Sequence, residues 1–211
     1  MKYIIMCGGE YKKWEQPRHL TLINGIPLVQ RTINQLRDNS VEDIYISSNN
    51  PIFEQFGVPV LKHENSYIAN GYNNVEGYWA DAFYPTDEPA CYICGDVVFS
   101  PEAIKTIVET EVKDIQFFAS SPPFAPEYPK PYAEPFAFKV VNQKHLRDCI
   151  AVMKEIDAKG LYRRKPIAWE LWQVIIGGKI NHIDYNSYVV INDYTCDIDS
   201  AEDAERYKDN L

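Results

Sequence analysis

Residues 4–20 read IIMCGGEYKKWEQPRHL. The stretch opens as an unbroken apolar run, halts at a glycine pair and continues into charge and aromatics. An apolar run with no alternation has no face for water, so it predicts a strand covered on both sides, as in a parallel sheet. Glycines let backbone N–H groups approach a ligand closely, and cations beside them offset an anion's charge. Gly8 and Gly9, followed by Lys12, Lys13 and Arg18, therefore form a candidate phosphate loop at a strand's carboxyl end. The competing reading is a plain basic turn. The spacing is neither G-K-[ST] nor G-x-G-x-x-G, so it is not an NTP-binding Walker loop or a dinucleotide fingerprint.

Outward from this loop, strands and helices alternate. KYIIMC, EDIYISS, VPVLK, ACYICGDVVF and DIQFFAS read as strands. Between them PLVQRTINQLRD and PEAIKTIVETEV read as helices opened by Pro, PIFEQF as a short helix, and NNVEGYWADAFY as a further helix. Beyond residue 120 the Pro- and aromatic-rich SSPPFAPEYPKPYAEP reads as an irregular loop. It is followed by a strand (FAFKVV), a helix capped by Asn142, and a helix carrying Trp169 and Trp172 on its packed face. SYVVINDY is strand-like, and Ser200 caps a last helix with Asp203 three residues on. The expectation is one α/β domain over 1–211: three layers, α/β/α, around a mainly parallel mixed sheet, Rossmann-like. Residues 1–119 would bind nucleotide, and 120–211 would bind an acceptor and complete a metal site. Ligands of such sheets bind outside the carboxyl ends of the strands, where both the glycine loop and Asp96 fall.

Composition narrows the classes. With 45% hydrophobic and 13% aromatic residues, the chain can build a full core. A net charge of −9 argues against coating nucleic acid but leaves room for a local basic pocket. No apolar run is long enough for a signal peptide or a membrane span, so the expectation is a cytoplasmic protein without a membrane partner. Five scattered cysteines fit reduced thiols. Cys91 and Cys94 lie on one strand at an odd spacing that sends them to opposite faces, which makes core packing the favoured reading over zinc.

The loop resembles the molybdenum-cofactor guanylyltransferases and the wider nucleotidyltransferases of the glycosyltransferase-A-like fold. In these, Arg follows the glycine pair by four residues, Lys comes five later, and a hydrophobic stretch leads to Gly-x-Pro-Leu opening a helix. Here Gly8-Gly9 match the pair, Lys13 stands at the Arg position, Arg18 stands at the Lys position behind Pro17, and LTLI leads to Gly25-Ile26-Pro27-Leu28. The two basic residues have exchanged type. Arg offers a planar fork and Lys a mobile point charge, so the exchange alters geometry while keeping charge.

The resemblance implies Mg²⁺ on Asp96, which ends the fourth strand; the plain reading is a turn residue. In Asp197-Ile-Asp199, period-two alternation puts both carboxylates on one side of an extended segment. The segment resembles the Asp-Ile-Asp that holds metal in cytidylyltransferases for acidic sugars, whereas the molybdopterin enzymes typically have Asn. Helix-dipole charge is the alternative there. By the same resemblance, Met6, Cys7, Gly8, Gly9, Lys13 and Arg18 would bind the nucleotide, Lys13 and Arg18 holding the leaving pyrophosphate. Ser47 and Asn49 would contact the base, while Lys130 and Glu134, in a stretch (EYPKPYAEPFAFK) that resembles the Glu-Lys-Pro and following strand of sugar-1-phosphate nucleotidyltransferases, would meet the acceptor; for Lys130 a solvated lysine in a Pro-rich loop is the alternative. Arg163, Arg164 and Lys165 are a basic run that could meet an anionic acceptor or simply be solvated.

The activity implied is Mg²⁺-dependent transfer of a nucleoside monophosphate from an NTP to a phosphorylated small molecule (a sugar or alditol phosphate). The partners are then small molecules, no nucleic acid is expected, and a homodimer is one assembly open to the chain. The alternatives are a molybdenum-cofactor-type guanylyltransferase, a metal-dependent glycosyltransferase using the D-x-D, and a non-catalytic nucleotide-binding domain. Nothing in the sequence selects the base or the acceptor.

Overall fold

The computed structural model describes residues 1–11, 14–69, 75–121 and 133–207. Nine strands matter for the site: β1 (Lys2–Met6), β2 (Ile44–Ser47), β3 (Val60–Leu61), β4 (Ala90–Cys94), β5 (Val97–Val98), β6 (Ile115–Ala119), β7 (Pro135–Val140), β8 (Val189–Val190) and β9 (Cys196–Asp197). The helices are α1 (Leu28–Asp38), α2 (Pro101–Glu109), α3 (Gln143–Ala158), α4 (Ala168–Ile175) and α5 (Ala201–Glu205). Seven strands form the central sheet in the order β8-β6-β7-β4-β1-β2-β3, with β7 alone antiparallel to its neighbours. The mainly parallel sheet expected from the unbroken apolar runs is the sheet observed. Ile4, Ile5, Ile46, Ile93 and Phe118 are fully buried, as strands covered on both faces require.

The two faces are packed differently. On one, Tyr92 and Phe138 lie in register, and Phe117 stacks on Phe138 at 4.4 Å between ring centroids. Trp169 and Trp172 of α4 close over Phe117 at 5.2 and 5.7 Å, so the three-residue spacing does mark the packed face. Each such ring pair contributes about 0.5–1.5 kcal/mol beyond its buried area. On the other face, Lys139 turns toward the carboxyl end of α2, where its ammonium donates to the carbonyls of Ile107 (3.0 Å), Val108 (2.8 Å) and Thr110 (2.8 Å). A buried cation is tolerated there because it caps three carbonyls at the negative end of a helix dipole.

The predicted caps are present. Asn142 accepts from His145 N–H, and Ser200 accepts from Asp203 N–H. PIFEQF is a 3₁₀ helix (Pro51–Phe56), and the strand read over SYVVINDY shortens to Val189–Val190. NNVEGYWADAFY departs most. Its first two residues lie outside the described ones, Val75–Glu76 pairs as a short strand with Ile68–Ala69, and Trp79–Ala82 is a 3₁₀ turn. Gly77 is the reason. It sits at φ +69°, and a Cβ there would lie 2.2 Å from the Ser66 carbonyl oxygen, so the chain reverses where a helix would have continued. Cys91 and Cys94 are free, buried thiols, and neither joins a metal-ligating group among the described residues.

Candidate active site

Three parallel strands end together. Met6 pairs with Ser47 on one side and with Cys94 on the other, so the loops after β1, β2 and β4 leave the sheet along one edge. The Cys7 N–H donates to the Ser47 carbonyl, and Ser48 Oγ donates to the Cys7 carbonyl, which ties the first two loops together. Gly95 N–H donates to the Met6 carbonyl. A Cβ at Gly95 would come within 2.7 Å of that oxygen and 2.8 Å of Cys7 Sγ, so only glycine brings the β4 loop this close to β1. Asp96 follows at once and is thereby held beside the glycine loop.

The C-terminal acidic pair reaches the same edge by pairing. β5 and β9 form a two-stranded antiparallel ladder, Val97 opposite Asp197, and Ile198 N–H donates to the Asp96 carbonyl. Asp197 and Asp199 therefore flank the residue paired with Asp96. Glu134 arrives from a third direction. It stands just before β7, whose antiparallel course starts where β4 ends, and the register of β7 on β6 shifts between Phe118 and Ala119. Ser120 fixes its backbone from both sides: Ser120 N–H donates to the Glu134 carbonyl (2.9 Å) and Glu134 N–H donates to Ser120 Oγ (2.8 Å). The result is a cluster in which one ligand oxygen each from Glu134, Asp197 and Asp199 lie within 4.8 Å of one another.

Arg18 enters this cluster. Nη2 lies 2.5 Å from Asp96 Oδ2 and Nη1 lies 2.7 Å from Asp199 Oδ1, with Nη1 also donating to the Ile198 carbonyl at 3.3 Å. Burial alone would lower the guanidinium's pKa; Asp96, Asp199 and Asp197 outweigh it and raise it above the ordinary value. His19, next in sequence, is buried with Nδ1 unpartnered among the described residues, and burial pulls its pKa down to about 4. Burial also pushes the Cys7 and Cys94 thiols well up, so neither is a thiolate.

The sequence of the chain decides the family. The profile of the MobA-like NTP transferase domain matches residues 3–165, well over half of the chain. The chain belongs to the MobA-like NTP transferase domain family. It is an NTP-dependent nucleotidyltransferase. The matched span of this NTP transferase includes the glycine loop, Arg18, Asp96 and Glu134 and stops short of Asp197 and Asp199. A comparison with curated proteins found no match.

Solved structures agree on the fold of the NTP transferase. One is described as a glucose-1-phosphate thymidylyltransferase from Bacillus anthracis, in complex with a sucrose: TM-score 0.58, 15% identity, 99% of this chain and 94% of that one. The inositol-1-phosphate CTP transferase from T. maritima has TM-score 0.56 at 16% identity, covering 100% and 97%. HddC from Yersinia pseudotuberculosis, complexed with GMP-PN, has TM-score 0.53 at 14% identity, covering 99% and 98%. The mixed, mostly parallel seven-stranded sheet is that of the nucleotide-diphospho-sugar transferase fold. No helix of the described residues is long and apolar enough to cross a membrane.

The remaining expected residues of this NTP transferase are distributed as follows. Lys13 and Lys130 lie outside the described residues. Gly8 lies against Asn65; a Cβ on it would come 3.0 Å from Asn65 Cβ. Met6 and Ser47 are buried at their strand ends. Asn49 lines a cavity of about 540 Å³ together with His63, Asn65, Ser66 and Asp81. Arg164 and Lys165 of the basic run pair with carboxylates of the same chain, Glu170 and Asp157, at 2.9 Å each. Glu134, assigned to the acceptor from its sequence context, stands among the carboxylates. The cavity walls at His63, Ser66 and Asp81 had no sequence signal: no element or motif was read over 63–72, and Asp81 falls within the stretch read as a helix.

Proposed function

We propose that this nucleotidyltransferase transfers a nucleoside monophosphate from an NTP to a phosphorylated small molecule, a sugar or alditol phosphate, and releases pyrophosphate. The observation that carries the proposal is the convergence of Arg18, Asp96, Glu134, Asp197 and Asp199 on the strand edge that bears Gly8-Gly9. The two named relatives that act on glucose-1-phosphate and inositol-1-phosphate support the acceptor class.

The donor set fits a hard divalent cation such as Mg²⁺: three carboxylates, wholly or partly buried, with converging oxygens and no soft ligand. Glu134, Asp197 and Asp199 would hold it. When bound, such a cation offsets the negative charge of the triphosphate. The chain's own residues do the rest. In this reading the Gly8-Gly9 backbone and Lys13 cradle the phosphates, and Arg18 places its fork on the leaving pyrophosphate. Asp96 orients Arg18. An acceptor phosphate oxygen attacks the α-phosphorus as the bond to the bridging oxygen breaks, and the electron pair leaves with pyrophosphate. The nucleophile is already ionised, so no general base is needed.

In this reading the base and ribose would occupy the cavity lined by Asn49 and Asn65, the latter lying against Gly8. Residues 1–119 then carry the nucleotide, and 120–211 bring the acceptor side and all three cation ligands, Glu134, Asp197 and Asp199. The test is pyrophosphate release with each NTP against a panel of sugar and alditol phosphates in Mg²⁺. Sugar transfer from a nucleotide-sugar, with no pyrophosphate from any pair, would overturn the proposal.

A further inference from the structure

The cavity beside the glycine loop is walled by segments distant in sequence, and one carboxylate joins them. Asp81 lies in the turn Trp79–Ala82. Its Oδ2 accepts from the Ser66 hydroxyl at 2.6 Å and from the Tyr78 N–H at 3.2 Å. Its Oδ1 accepts from the Lys154 ammonium of α3 at 2.6 Å, and its backbone carbonyl accepts from His63 Nε2 at 2.7 Å. His63, Ser66 and Asp81 all line the cavity. The residue thus binds the wall on both sides of the Gly77 reversal and ties it to a helix from the other half of the chain.

Tyr78 reinforces that tie. Its hydroxyl donates to Asp157 of α3 at 2.9 Å, and Lys165 donates to the same carboxylate oxygen at 2.9 Å. The Lys165 and Lys154 ammonium groups also lie 3.7 and 4.9 Å from the Tyr78 ring centroid, within cation–π range. Burial raises the Asp81 carboxyl's pKa, and Lys154 and Ser66 outweigh it and bring it below the ordinary value. The group is therefore ionised at neutral pH, and its two oxygens are acceptors only. Three donors converge on those two oxygens. An amide of the same size would turn an NH₂ toward Lys154 or toward the Ser66–Tyr78 pair, so it cannot replace the carboxylate.

His63 adds chemistry to the wall. A carbonyl only accepts, so the contact with Asp81 puts a ring proton on Nε2, and in the neutral ring Nδ1 keeps its lone pair. The ring is also held edge-on to Tyr84 at 5.7 Å.

We propose that Asp81 is the positioning residue of the nucleoside cavity, shaping the wall of His63, Ser66 and Tyr78 and holding His63 as an acceptor for a donor group of the base or ribose. This rests on the nucleotide-transfer reading above. Arg18 and the carboxylates of the strand edge make none of the contacts of Asp81, so its loss acts on the nucleoside and leaves the phosphates alone.

The test compares wild type with Asp81→Asn by calorimetric titration of each NTP and of inorganic tripolyphosphate, alongside steady-state kinetics. Tripolyphosphate lacks base and ribose and reports on the phosphate loop by itself. Wild type is expected to bind its NTP more tightly than tripolyphosphate, and Asp81→Asn to lose about tenfold in NTP affinity. Tripolyphosphate binding stays the same, KM for the NTP rises and kcat stays within about twofold. Equal NTP affinity in the two proteins would overturn the proposal. So would a matching loss of tripolyphosphate binding, the result of general loosening. Wild type that binds tripolyphosphate but no NTP would instead bring down the nucleotide reading and this proposal with it. If Asp81→Asn does not fold, Lys154→Met and Ser66→Ala each remove one donor. A smaller rise in NTP KM at constant tripolyphosphate affinity is then expected, and no change in either variant counts against the role.

Discussion

Arg18 Nη1 sits 2.7 Å from Asp199 Oδ1, although 181 positions separate the two residues. The same guanidinium reaches Asp96, so one cation bridges the β4 loop and the segment leading into the last helix. Arg18 neutralises part of the cluster that the proposed cation would use. Arg18→Ala is expected to cut kcat by about 10²–10³-fold, the effect of losing one group that offsets transition-state charge. Mn²⁺ affinity without nucleotide should rise, because a competing cation is gone. Turnover assays and Mn²⁺ titration read the two effects separately, and unchanged turnover would remove Arg18 from the machinery.

Glu134→Gln and Asp197→Asn each take one charge from the three-carboxylate group. Both should weaken Mn²⁺ binding at least tenfold and abolish pyrophosphate release at low cation, with partial rescue at high cation. Mn²⁺ titration checks this; wild-type affinity in Glu134→Gln would return Glu134 to the acceptor role read from its sequence.

His19 makes stability depend on pH in a definite direction. Its folded pKa is about 4 against 6.5 unfolded, because burial disfavours the imidazolium. Between pH 6.5 and 4 the unfolded chain takes up the proton and the folded one does not, so stability is full above 6.5 and falls as pH drops through that window. The loss amounts to roughly 3 kcal/mol at its limit, at ~1.36 kcal/mol per unit. Urea unfolding at pH 7.5, 6 and 4.5 should show the decline, and His19→Phe should flatten it.

Lys139 is structural. Its ammonium satisfies three carbonyls at the end of α2, and replacement by Ala leaves them without it in a buried place. The expected cost is about 1–3 kcal/mol. A lower urea midpoint at constant slope would confirm a pure stability effect, and an unmoved midpoint would contradict the account.

Gly95→Ala tests the close approach of two strand ends. Its Cβ would meet backbone oxygen at 2.7 Å and Cys7 Sγ at 2.8 Å, so the β4 loop must move away from β1 and carry Asp96 with it. Turnover should fall by an order of magnitude or more alongside a loss of about 1–3 kcal/mol in stability. Full activity in this variant would mean that Asp96 does not depend on the approach.

Some features were legible residue by residue because they depend on local chemistry. Unbroken apolar runs such as IIMC and ACYIC have no solvent side, so they predict a covered parallel sheet. Asn142 and Ser200 precede helices and cap them. Gly8-Gly9 and Asp96 follow strands running in one direction, which places them on one edge. NNVEGYWADAFY departs from the helix expected of it because its helical composition yields to a backbone contact, Gly77 against Ser66, whose partner lies outside the stretch.

The amino-acid sequence by itself determined the sheet, the edge that carries chemistry and the family motif of the glycine loop, because each follows from periodicity or from spacing along a short segment. Only the tertiary structure decided which charges meet. Glu134 joins Asp197 and Asp199 because β7 runs antiparallel and starts at the edge where β4 ends, and Asp81 meets His63, Ser66 and Lys154 because the chain reverses at Gly77 and docks on α3. The physical reason is range. Caps, turns and strand periodicity are settled within a few residues, whereas a cluster of like charges costs energy and forms only where strand pairing and burial elsewhere in the fold compel it.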